Sequence, residues 1–90
     1  MPATTPKVIT PIIHRNGDRR ETLLENIEHA YRAVRAAQDA LRHCAPNGRN
    51  FYPEPGRMTL AEAQHRTRQE HLQAVLQSLS AEAEQIQDEA

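Results

Sequence analysis

"DRRETLLENIEHAYRAVRAAQDALRHCA", residues 18–45, decides the fold. Its apolar residues recur at alternating steps of four and three: Leu23, Ile27, Ala30, Val34, Ala37, Leu41 and Cys44. A heptad-like stripe kept up over that length belongs to an amphipathic helix packed on another helix. Leu24 and Tyr31 flank the stripe on one side, and Ala33 and Ala40 on the other. The small alanines would let a partner helix approach closely. Asp18 at the N-cap with Glu21 three residues on reads as a capping box. Pro46-Asn47-Gly48 stops the run. The pattern predicts a helix over residues 18–45, roughly 40 Å long.

A second helix is expected over 59–88. Thr59 reads as its cap and Glu62 as the other half of a second capping box. Leu72, Val75, Leu76, Leu79, Ala83 and Ile86 form its stripe. Traced backwards, that stripe meets Arg68, His65 and Ala61, so "QHRTRQEH", residues 64–71, sets polar groups where the apolar seam should run. Residues 1–17 form an arm, because Pro2, Pro6 and Pro11 forbid a regular helix there. Val8, Ile9, Ile12 and Ile13 suit a short extended piece, and Asn16-Gly17 is a turn signal. The expected architecture is all-α: an antiparallel two-helix hairpin (18–45 and 59–88) with an extended arm (1–17) and a long connection (46–58). Two helices bury two stripes poorly alone, so the hairpin is expected to oligomerise into a helical bundle.

The composition agrees with that need for a partner. The chain has 90 residues and only one Phe, two Tyr and no Trp to fill a core. A domain this small often relies on disulfides, a metal or another chain. Cys44 is the single cysteine, which excludes an internal disulfide and suits a reducing compartment. The opening "MPATTPKVIT" lacks the apolar run of a signal peptide, and no stretch reaches the roughly 18 apolar residues of a membrane span. These features predict a cytoplasmic protein without membrane contact. The net charge of −1 argues against general nucleic-acid binding. The charge is uneven, however: residues 42–71 sum to +2 and residues 72–90 to −4.

"APNGRNFYPEPGR", residues 45–57, is far longer than the roughly 2–5 residues that join antiparallel helices. It also holds two of the three aromatic residues. A hairpin would bring this connection beside the start of the second helix. That end gathers the candidate ligand-binding residues Asn47, Arg49, Phe51, Tyr52, His65 and Arg68. Guanidinium groups grip phosphate or carboxylate with paired hydrogen bonds. Aromatic faces stack on bases. Asn and His add hydrogen bonds, and a nucleotide-like or phosphate-bearing ligand would use all three. The plainer alternatives are that Phe51 and Tyr52 plug the open end of the bundle, that Arg49 bonds the last carbonyls of the first helix, and that His65 and Arg68 face solvent. No two histidines have the i, i+4 spacing of a helical metal motif, so no metal or cofactor is expected. Cys44 lies on the apolar seam in this reading, and no paired acid and base or phosphate-binding loop is evident, so an enzyme is not expected.

"PIIHRNGDRRETLLENIEHAYRAV" and "APNGRNFYP" together carry a resemblance. They are similar to short proteins of tailed bacteriophages and prophages that share an "IHxNG" entry into a first helix and a "PNGRxYYP"-type loop before a second. Here Phe51 stands in the first aromatic slot. The resemblance covers residues 9 to about 86 and implies origin more than chemistry. A small accessory phage protein is expected to antagonise bacterial defence by stoichiometric binding inside the host cell. The leading expectation is capture of a nucleotide-derived immune signal. The alternatives are a protein-binding inhibitor of the anti-CRISPR kind, working through its acidic tail, and a structural assembly module.

Overall fold

The computed structural model describes residues 8–15 and 17–89. Three helices follow one another: α1 (Arg20–Arg42), α2 (Gly48–Phe51) and α3 (Pro55–Asp88). Among the described residues there is no strand, so the class is all-α. None of the helices is long and apolar enough to cross a membrane. The arm call falls partly on residues 1–7 and Asn16, which lie outside the described residues. From residue 8 onward the arm is non-helical up to α1. Val8, Thr10 and Ile13 are half-buried, whereas Ile9 and Ile12 are 95% and 81% exposed. The Gly17 amide donates to the His14 carbonyl at 3.2 Å. Glycine suits that turn, since a Cβ there would come within 2.8 Å of the His14 ring.

Three helix boundaries depart from the sequence expectation for local reasons, whereas α3 ends at Asp88 as expected. α1 begins two residues later than Asp18. Its N-cap is Arg19, in extended backbone and without a side-chain cap, so the expected Asp18–Glu21 box does not form. Glu21 still faces the positive end of the helix dipole. At the other end α1 closes at Arg42 instead of Ala45. The amides of His43, Cys44 and Ala45 each bond the carbonyl three residues back, which tightens the last turn before Pro46. Thr59 is not a cap either. α3 starts at Pro55, four residues earlier, with Glu54 as its N-cap. Proline has no N–H to satisfy and its fixed φ matches the helix, so it opens helices well at N1. The 46–58 connection is therefore not one loop: it contains α2 and the first four residues of α3.

α1 packs on α3, and α2 packs on α3. Arg20 Nη2 donates to the Glu89 carbonyl at 2.7 Å, and Gln38 Nε2 donates to Gln73 Oε1 at 3.0 Å. The half-buried positions of α1 include Arg20, Leu24, Ile27, Tyr31, Val34, Gln38 and Leu41. They again step by four and three, but this seam is rotated from the expected one. Ala30, Ala37 and Cys44 are exposed, and Leu24, Tyr31 and Gln38 stand in their place. Leu24 and Tyr31 bury far more apolar area than the alanines would, and burial is worth about 25 cal/mol per Å². Gln38 is tolerated in the seam because Gln73 accepts its hydrogen bond.

The α3 stripe follows its expected line, with two departures. Leu72, Leu76, Leu79, Ala83 and Ile86 are covered, and towards the N-terminus so are His65, Ala61 and Met58. Val75 is 44% exposed, and Arg68 is exposed. The apolar core consists of Leu76, Ala81 and Ile86, with Ile86 at 0% exposure. α1 contributes no fully buried residue. The molecule is elongated, 63 × 28 × 16 Å, with a radius of gyration of 18.3 Å. A compact chain of this length would have about 12 Å.

Candidate functional site

Gln38 is bonded to Gln73, and α1 ends four residues past Gln38. α3 has eighteen residues before Gln73. The early turns of α3 therefore need another cover, and α2 supplies it. α2 exists because Asn47 caps it: Asn47 Oδ1 accepts from the Arg49 amide at 2.9 Å, and the Asn50 amide donates to the Asn47 carbonyl at 2.9 Å. Asn is among the strongest N-cap residues, because its side-chain oxygen satisfies an amide that the helix cannot. Asn47→Ala should cost about 1 kcal/mol and unwind this single turn. The check is faster amide exchange at Arg49 and Asn50, with α1 exchange unchanged.

Between the end of α1, α2 and the first half of α3 lies a cavity of about 360 Å³. Asn47, Phe51, His65 and Arg68 line it, as do His43, Cys44, Asn50 and Gln64. Four of the six sequence-predicted residues are thus brought together. Arg49 and Tyr52 are not among the lining residues. Arg49 is exposed and Tyr52 is 83% exposed, so Tyr52 neither plugs the end of the helices nor faces this cavity. Phe51 is half-buried. Gln64 and Asn50 join the site without having been singled out. The signal for Gln64 was its place in the polar stretch 64–71, immediately before His65. Cys44, read from the sequence as a seam residue, is instead exposed and forms part of the cavity wall.

The electrostatics are one-sided. Arg68 makes no hydrogen bond or ion pair among the described residues, and no carboxylate lines the cavity. His65 is only 8% exposed, and its Nδ1 is buried with no hydrogen-bond partner. A buried polar atom left unpaired costs about 1–3 kcal/mol. The wall thus offers a free cation, a buried ring nitrogen lacking a partner, the amides of Asn47, Asn50 and Gln64, and one aromatic side chain. The volume is at the lower end of the roughly 300–1,000 Å³ typical of small-molecule sites.

A larger groove of about 520 Å³ lies further along α1 and α3. It mixes Arg35, Arg42 and Arg66 with Asp39 and Glu70, and Arg42 is already paired to Asp39. Its charges largely answer one another. Among the described residues no group of three or more His, Cys, Asp or Glu is placed to hold a metal ion. Set against known protein families, curated proteins and solved structures, the chain matches none.

Proposed function

We propose that the protein acts by stoichiometric binding, as an antiparallel helical hairpin that sequesters a nucleotide-derived signal in the cavity beneath α2. One observation carries this reading. A counter-ion-free Arg68 and a buried, unpartnered His65 Nδ1 line the same carboxylate-free cavity, with Phe51 in its wall. Arg68 suits a phosphate, since guanidinium groups bind its oxygens in pairs. His65 would gain its missing hydrogen bond from the ligand. Phe51 would stack on the base, and the side-chain amides would read its edge. Arg49 and Tyr52, exposed at the rim, would take part only by folding over a bound ligand. The hairpin reading is supported by the Arg20–Glu89 and Gln38–Gln73 bonds. The similarity of the entry and loop motifs to short phage proteins supports the setting, antagonism of bacterial defence within the host cell.

The test is a thermal-melt screen of the purified chain against cyclic di- and trinucleotides and ADP-ribose-derived signals. A ligand present at 100 times its dissociation constant should add about 2.7 kcal/mol. That corresponds to about 10 °C or more in a domain of this size. Arg68→Ala should abolish the shift. If no nucleotide moves the midpoint, the reading fails and a protein target takes its place.

A further inference from the structure

The rotated seam leaves α1 with a second stripe. Ala30, Ala33, Ala37 and Ala40 again step by three and four, and all four are exposed. This stripe sits one residue, or about 100°, around the helix from the seam facing α3. It carries no charged side chain. We infer that it is a self-association surface on which α1 of a second copy of this chain packs antiparallel.

The chain's own burial deficit points to a second copy as the occupant. The accessible surface is 7469 Å². A compact monomer of 10.2 kDa would show about 5,300 Å². The excess, about 2,000 Å², is spread over the whole elongated chain, and a second copy would cover roughly 800 Å² of it in a standard interface. Among the described residues only three apolar side chains are buried, a small core for a domain of this size.

A two-fold interface must also map a surface onto itself. With the axis beside residue 35, Ala33 meets the second copy's Ala37 and Ala30 meets its Ala40. Every alanine of the stripe thus meets another alanine, which allows axes about 8 Å apart. Antiparallel helices also oppose their dipoles favourably. The proposal rests on the exposed face and not on the ligand reading.

Sedimentation of the full-length chain tests it directly. The wild type should run as two chains and Ala33→Glu as one, with its helical circular dichroism retained because Ala33 is exposed. A monomeric wild type, or a glutamate variant that keeps the mass of two chains, would overturn the surface. Cross-linking in a Cys44→Ser background decides the geometry even where the glutamate variant fails to fold. Ala33→Cys combined with Ala37→Cys should oxidise to a covalent dimer, whereas Ala37→Cys alone should not. Failure of the double variant to link, or self-linking of the single variant, rules out this register.

Discussion

Ile86→Ala is expected to remove about 2–5 kcal/mol of stability, the usual range for emptying a fully buried aliphatic site. Among the described residues Ile86 is the single large side chain at 0% exposure, and only Leu76 and Ala81 share the apolar core with it. Losing Ile86 takes away transfer free energy and leaves a void that few neighbours can fill. The total stability of so small a core is itself only a few kcal/mol. The melting midpoint should therefore fall by about 10 °C or more, and part of the population should be unfolded at 25 °C. Val75→Ala is the natural control, because Val75 lies on the same helix but is 44% exposed. It should cost well under 1 kcal/mol. Thermal circular dichroism of the two variants makes the comparison. Equal losses would mean that the core lies elsewhere.

His65→Phe should act in opposite directions on fold and ligand. The imidazole is 8% exposed and its Nδ1 finds no partner, so the fold carries a desolvation penalty of about 1–3 kcal/mol there. A phenyl ring covers the same apolar neighbours without that penalty, and the adjoining cavity accepts its extra volume. The free protein should melt about 4–8 °C higher. The ligand-induced shift should disappear, because the ring can no longer bond the ligand. Gains in stability that remove binding are common where a site holds an unsatisfied group. Melting curves with and without ligand separate the two effects. A drop in stability without ligand would show that water or a protein group already satisfies the ring nitrogen.

The two long helices were legible because their apolar periods are strong. The register of α1 was not. Its sequence supports two stripes a single residue apart, and an apolar count favours the one containing Ala30, Ala37 and Cys44. Side-chain size decides otherwise: Leu24 and Tyr31 outweigh the alanines and bring Gln38 into the seam with them. Thr59 misled for a similar reason. A Ser/Thr-x-x-Glu pattern can sit inside a helix, and Pro55 had already opened this one. At the candidate site, the interruption of the α3 stripe by His65 was readable and informative, since that residue is buried beside the cavity. Tyr52 was not readable. A short loop turns an aromatic ring inward or outward according to backbone angles that residue type does not encode, and α2 turns this one out.

Ile86 and His65 stand twenty-one residues apart on α3, or about 32 Å along its axis. The most deeply buried core residue and the cavity therefore sit well apart on one rod. Substitutions separated by much more than 10 Å tend to act independently. Substitutions among the lining residues around α2 should consequently leave the contribution of Ile86 to stability unchanged.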